Sequence, residues 1–187
     1  MHVTFVIIIF YNISDSLNKR FMTTQTAQTK VLDLLSEINR NGIDNLIKFI
    51  KDSNYLTTAQ CYSHHKCPHG LMLHSLEVLD NMLKNNLAGI PRESIILAAL
   101  CHDLGKARLA GKKVGTGNHP ERSVCILEKC GVELTDAERN AILHHHPKGF
   151  GDWFGNAFTS PLLMLLQIGD CRSTSINKKG IKYRFSC

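Results

Sequence analysis

Apolar residues recur at helical spacing along most of the chain. Val31, Leu34, Leu35 and Ile38 share one face of a helix over 29–40, and the stretch from Ile43 to Ile50 resumes the pattern after Gly42. Leu71, Leu73, Leu76, Val78, Leu79 and Met82 give a helix over 71–83 an inward face. Pro91 can open the next helix, through Ile95, Ile96, Leu97 and Leu100, because a missing N–H costs nothing in a first turn. A shorter helix covers 119–130. Thr135 with Glu138 forms a capping-box signal for a helix ending near His146. Ser160-Pro161 starts a last strong helix, from Leu162 to roughly Cys171. The stretches 111–117 (GKKVGTG) and 147–156 (PKGFGDWFGN) read as loops, and Gly111, Gly115 and Gly117 suit a mobile cover. The expectation is an all-α fold, one bundle of about seven helices over 22–187 with functional loops at one end.

The two ends stand apart. The apolar run Val3 to Phe10 is too short to span a bilayer as a helix. No Lys or Arg precedes it and no small-residue cleavage site follows, so a signal peptide is not expected. The helical pattern begins at Met22. Residues 1–21 therefore read as an N-terminal appendage, either a start-site artefact or a short element packed on the domain. The basic tail 175–187 (SINKKGIKYRFSC) reads as a short strand or a mobile end.

Length and composition fit one domain with a sizeable core: 187 residues, 43% of them hydrophobic, which excludes a disordered chain. A net charge of +6 favours an anionic partner such as a nucleotide or nucleic acid, although a merely basic soluble protein has the same balance. The seven cysteines form no C-x-x-C pair, which argues against a disulfide framework and for a reducing cytoplasm, with no membrane and no disulfide-linked partner. Cys101, Cys125 and Cys171 fall in apolar helical stretches and read as small core residues. Cys61 and Cys67 are spaced too widely for a zinc knuckle.

The ten histidines matter by placement. His74 lies inside an amphipathic helix. His102 and Asp103 are adjacent at the end of an apolar helix, in LAALCHDLGK. His119 opens a helix, His144, His145 and His146 end another, and Asp170 closes LLMLLQIGD. Singly, each has an ordinary reading. His74 can be a satisfied core histidine, the histidine run a polar helix end that favours the dipole, and Asp170 a partner of Arg172. Together they point elsewhere. An ionisable group at the inner end of an apolar helix is costly to bury unpaired. A metal ion removes that cost, because it takes neutral imidazole and ionised carboxylate as ligands. A set of imidazoles and carboxylates suits Mn, Fe, Co, Ni or Zn, and the lack of thiolates argues against a structural zinc site.

This order of residues resembles the HD superfamily of metal-dependent phosphohydrolases. HHKCPHGLMLHSLEV is similar to the family's first-ligand segment, CHDLGK to its defining His-Asp segment, ILHHHP to the later histidine pair and QIGDCRST to the final Asp segment. The likeness covers Ala59 to Thr174. It is nearest to the branch with bacterial 3′–5′ exoribonucleases and more distant from the HD-GYP cyclic-dinucleotide phosphodiesterases. Phe150-Gly151-Asp152 stands where the latter have Gly-Tyr-Pro, and the chain has no room for the exoribonucleases' nucleic-acid-binding barrel.

The resemblance implies an HD-type bundle with one or two divalent ions (Mn, Fe, Ni, Co, Mg or Zn) at converging helix ends. His74, His102, Asp103 and Asp170 would be the core ligands, with Asp103 bridging two ions. His119, His145 and His146 would complete a second site; aligning Ile142-Leu143 favours His145 and His146 over His144. The implied activity is hydrolysis of a phosphate ester of a nucleotide or oligonucleotide by metal-activated water, with Asp103 and Lys106 catalytic. Lys106 would also bind substrate phosphate, with Arg172 and Arg122 as further candidates, whereas Lys112 and Lys113 read more readily as solvated charge. Trp153 and Phe154 would stack on a base or pack internally, and His64 and His65 would line the entrance or lie on the surface. Three other functions use similar residues: a nucleotide phosphatase or triphosphohydrolase, a di-iron oxygenase, and a non-catalytic metal-binding regulatory module.

Overall fold

A computed structural model describes residues 23–60, 65–146 and 160–178. Residues 1–21, read above as an appendage, Cys61, His64, residues 147–156 with Trp153 and Phe154, and most of the basic stretch 175–187 lie outside the described residues. The elements are α1 (Thr24–Ser36), α2 (Ile43–Asp52), α3 (Gly70–Lys84), α4 (Arg92–Cys101), a short 3-10 helix (Leu104–Lys106), strands β1 (Arg108–Leu109) and β2 (Lys112–Lys113), then α5 (His119–Lys129), α6 (Asp136–His144) and α7 (Pro161–Lys178). Seven α-helices among the described residues make this an all-α domain.

Capping side chains set most helix starts. Thr23 accepts the Thr26 N–H and begins α1 earlier than the apolar pattern indicates. α6 carries the expected capping box of Thr135 and Glu138. α5 carries a second box, Asn118 with Glu121. Ser160 Oγ accepts the Leu163 N–H at the start of α7. That helix runs past Cys171 to Lys178, because its inner face continues beyond the apolar run through Asp170 and the buried Ser173.

α3 is the axis of the fold. It is buried on nearly all sides between α7 and α4, so its periodicity is blurred and His74, Ser75 and Glu77 sit inside with the leucines. α4 is equally enclosed, from Ser94 to Cys101. Tyr55, fully buried, donates its hydroxyl to the Leu100 carbonyl at 2.7 Å and closes the last turn of α4. No helix of the described residues is long and apolar enough to cross a membrane.

Two expectations need correction. The stretch 111–117 is not wholly loop. Residues 108–113 form a two-residue antiparallel hairpin, with Arg108 opposite Lys113 and Leu109 opposite Lys112. Ala110 and Gly111 have φ of 48° and 77°, the pair of positive values that a type I′ turn needs. Strands this short leave no apolar alternation to read. Second, Cys101 is buried but Cys125 is half-buried and Cys171 exposed, because α7 turns that face outward. Cys101, Cys125, Cys130 and Cys171 are free thiols. The segment before α3 folds back on itself, with Gln60 N–H donating to the His65 carbonyl and Gly70 N–H to that of Cys67.

One buried ion pair fastens the bundle away from these features. Arg40 donates to Glu138 Oε2 and to Glu93 Oε1, each at 2.7 Å, and the Glu138 side chain is wholly buried. Burial works to raise the Glu138 carboxyl, but Arg40, Ser94 and the Thr135 backbone together overcome it and hold the group below its usual range. Arg40→Ala leaves that buried carboxylate without its counter-charge. The expected cost is about 3 kcal/mol of stability, read from the denaturant midpoint.

Candidate metal centre

The chain brings seven side chains to one place from five separate stretches of sequence. His74 projects from the middle of α3. His102 ends α4, and Asp103 follows it at the start of the 3-10 helix. His119 is the first residue of α5, His145 caps the end of α6, His146 follows it, and Asp170 lies within α7. Three overlapping groups of ligand atoms each fall within 4.8 Å: Asp103, His119, His145 and His146; His74, His102 and Asp103; and His102, His145 and Asp170.

Asp103 sits at the junction. Its Oδ1 is 3.1 Å from His119 Nε2 and 3.5 Å from His145 Nε2. Its Oδ2 is 3.2 Å from His102 Nε2 and 3.7 Å from His74 Nε2. Asp170 Oδ1 is 3.2 Å from His74 Nε2, and Asp170 Oδ2 is 3.9 Å from His146 Nδ1. Exposure grades across the cluster: His74, His102, Asp103 and His145 are sealed, whereas the His119 and His146 side chains are 24% and 49% exposed. Access is from the His119–His146 side.

Hydrogen bonds fix the imidazole orientations. His102 Nδ1 lies 2.9 Å from the Ala99 carbonyl, and His145 Nδ1 lies 2.7 Å from the Ile142 carbonyl. A carbonyl only accepts, so both Nδ1 atoms carry the proton and both Nε2 atoms, in the neutral rings, present lone pairs. The two Nε2 atoms of His74 and His102 are 3.2 Å apart. Asp103 Oδ1, His119 Nε2 and His145 Nε2 are buried and have no hydrogen-bond partner. Lone pairs facing one another and carboxylate oxygens at such distances are repulsive unless a cation lies among them. Donors about 2.1 Å from a common ion sit roughly 3 Å apart, the spacing found here. The residues present therefore fit a divalent cation.

The protonation states agree. Burial works to raise the Asp103 carboxyl, but His102 and Lys106 overcome it and hold Asp103 well below the usual carboxylate range. Asp170 is likewise lowered: burial works to raise it, but the neighbouring His74 and His102 together overcome that. Burial lowers His74 and His145, and it pushes His146 down to about 4 with help from His145. Ionised carboxylates and neutral imidazoles are the ligand forms. His102 runs the other way: burial lowers it, but the charge and hydrogen bond of Asp103, with the charge of Asp170, together raise it. A cation must displace that proton. Metal loading is therefore expected to weaken as pH falls through the raised His102 value, with full loading above it. Equilibrium dialysis against Mn²⁺ between pH 5 and 8 checks this.

The remaining expected residues fall in different places. Lys106 Nζ donates to Asp103 Oδ2 at 2.7 Å. Arg122 spends its guanidinium on backbone: Nε donates to the Gly105 carbonyl at 2.9 Å and a terminal nitrogen to that of Gly117, which turns it inward to brace the 3-10 turn. Arg172 is exposed on α7, and Lys112 and Lys113 are exposed in the hairpin. His144 is exposed, outside the cluster. His65, expected at the entrance or surface, is buried, with Nε2 3.0 Å from Glu77 Oε2. Gln60 escaped notice altogether. Buried beside the cluster, its amide donates to Asp103 Oδ2. No periodic or motif signal marks it. Ser123 was also missed: its hydroxyl receives the Gly105 N–H at 2.8 Å and lies 2.8 Å from the His102 carbonyl, tying α5 to the His-Asp turn.

Fold and donor set together define an all-helical domain with a buried cluster suited to divalent metal. A sequence model of the HD domain matches residues 72–174, more than half of the chain, and the protein belongs to the HD domain family. No curated protein and no solved structure matches it. HD domains are typically metal-dependent phosphohydrolases, and the cluster of buried His and Asp points to divalent metal binding here.

Proposed function

We propose that this protein hydrolyses a phosphate ester of a nucleotide or oligonucleotide, with His74, His102, Asp103, His119, His145, His146 and Asp170 holding one or two divalent ions. The observation that carries the reading is the placement of Asp103, whose two oxygens face two different imidazole groups, so that it would serve both cations if two are bound. A bound divalent ion supplies an activated water near neutral pH and neutralises charge on the phosphoryl oxygens.

The chain's own groups supply the rest. The sealed His74–His102 end excludes bulk water, while the half-open His119–His146 side admits an ester. Water adds to phosphorus as the P–O bond to the leaving group breaks, and one proton of that water ends on the leaving oxygen. Lys106, with its side chain 21% exposed beside Asp103, can place its ammonium on a phosphoryl oxygen as charge builds there. Arg122 is committed to backbone carbonyls and steadies the turn that carries Lys106. Arg172 reaches substrate only from the outer face of α7.

The test is a substrate panel with Mn²⁺, Ni²⁺ or Co²⁺ spanning nucleoside monophosphates, triphosphates, cyclic dinucleotides and short RNA. Release of phosphate or of a nucleotide product is the expected result. Oxygen consumption without ester cleavage identifies a di-iron oxygenase instead, and full metal loading with no turnover on any ester identifies a regulatory module.

A further inference from the structure

Behind His74 runs a chain of buried polar groups with no place in the chemistry above. His74 Nδ1 is 3.0 Å from Ser173 Oγ. Ser173 donates its hydroxyl to Glu77 Oε2 at 2.8 Å. The same oxygen is 3.0 Å from His65 Nε2. Glu77 and His65 are each 5% exposed, Ser173 1% and His74 0%. Two helices and a loop supply the groups, and Ser173 and Glu77 lie 96 residues apart in sequence.

The directions of these bonds are decisive. A serine hydroxyl has one proton. Ser173 gives that proton to Glu77, so toward His74 it can only accept. The His74 proton is thereby drawn to Nδ1, and the Nε2 lone pair is left facing His102, Asp103 and Asp170. Asp170 Oδ1, 3.2 Å from Nε2, pulls the same proton the opposite way. A neutral ring has one N–H to share between two acceptors, and the ring that gives it to Asp170 cannot bind a cation through Nε2. Ser173 and Glu77 weigh against Asp170 in that contest.

His65 shows that this arrangement is specified. Its backbone is left-handed, with φ of 46°, a conformation that costs a non-glycine residue free energy and calls for a local reason. The turn holds the ring against Glu77. It also lays the His65 carbonyl so close to α3 that a Cβ at Gly70 would approach it to 2.0 Å, and only glycine fits there.

We propose that Ser173, Glu77 and His65 form a buried positioning relay that holds His74 in its Nδ1-protonated tautomer and so sets the affinity of the centre for its cation. The proposal rests on the reading of His74 as a metal ligand. In the family of side-chain contacts behind metal-bound histidines, such partners are worth roughly ten- to a hundredfold in affinity.

Calorimetric titration of the metal-stripped full chain with Mn²⁺ measures the affinity. Long-range ¹H–¹⁵N spectra of the same metal-free protein report the His74 tautomer directly, with the ring identified by its loss in His74→Ala. In the wild type the His74 proton is expected on Nδ1. Ser173→Ala, which removes one small hydroxyl and tests no catalytic group, is expected to move it to Nε2 and weaken Mn²⁺ binding about tenfold or more. Ser173→Thr keeps the hydroxyl and stays within about threefold of wild type, whereas Glu77→Gln moves in the direction of the alanine variant. A wild-type proton on Nε2, or Ser173→Ala binding Mn²⁺ as tightly as wild type, overturns the relay. A wild type with the expected tautomer that binds no Mn²⁺ overturns the metal reading and leaves the hydrogen-bonded relay standing.

Discussion

Asp103→Asn is expected to abolish metal loading and to lower ester hydrolysis by about a thousandfold or more while the bundle stays folded. The change keeps the shape of the side chain and removes its charge. Two groups of imidazoles lose the anion they share, since Asp103 Oδ1 faces His119 and His145 while Oδ2 faces His102 and His74. Metal-borne charge stabilisation is worth several kcal/mol, and about 4 kcal/mol corresponds to roughly a thousandfold in rate. Some stability is expected to be lost as well, because His102 and Lys106 favour the ionised carboxylate, and Lys106 and Gln60 donate to its Oδ2. The carboxylate is 1% exposed, and the Asn amide keeps its shape and one acceptor oxygen, so the bundle is expected to fold with a lowered melting temperature. Elemental analysis, hydrolysis rate and thermal melt on one preparation separate the effects. Wild-type metal content in the variant would sink the assignment of Asp103 as the shared ligand.

Gly105→Ala is expected to lose activity without touching any ligand. A Cβ there would lie 2.2 Å from the His119 carbonyl, 2.8 Å from Arg122 Cβ and 2.9 Å from the Ser123 nitrogen. Two of these atoms are backbone of α5, so the 3-10 turn and α5 must separate. That separation draws His119 Nε2 from its position 3.1 Å from Asp103 Oδ1 and strains the Ser123 bonds to Gly105 and His102. Overpacking costs about 1–3 kcal/mol of stability, and a 1 Å misplacement about a hundredfold in rate. Activity is therefore expected to fall about a hundredfold, with a modest drop in the melting temperature. A variant with wild-type activity would show that the close approach of α5 does not set the geometry of the centre.

Gly105 also shows what a sequence does and does not disclose. In CHDLGK the glycine reads as part of a motif, and its reason, the contact with a helix that begins at His119, is visible only in three dimensions. The seven helices were legible because amphipathic spacing and capping residues act locally. Thr135 with Glu138 and Ser160 with Pro161 announce α6 and α7 within a few positions. The ligand set was legible because ionisable residues at the inner ends of apolar helices carry a desolvation cost that calls for a partner. The supporting residues were not. Gln60 meets Asp103, and Ser173 meets Glu77, only because distant segments pack, and a buried serine or glutamine leaves no periodic trace. Glu77 did offer a signal, a carboxylate one turn from His74 inside an apolar helix. Arg122, read from its charge as a phosphate group, proved to be held by carbonyls of the turn beside it.

Anomalous diffraction from crystals grown with Mn²⁺ tests the shared-cation claim most directly. The expected result is one or two strong peaks enclosed by His74, His102, Asp103, His119, His145, His146 and Asp170, with Asp103 bound to each ion present. Ordered side chains at those positions with no anomalous peak among them, at Mn²⁺ concentrations that saturate any binding seen in solution, would contradict it.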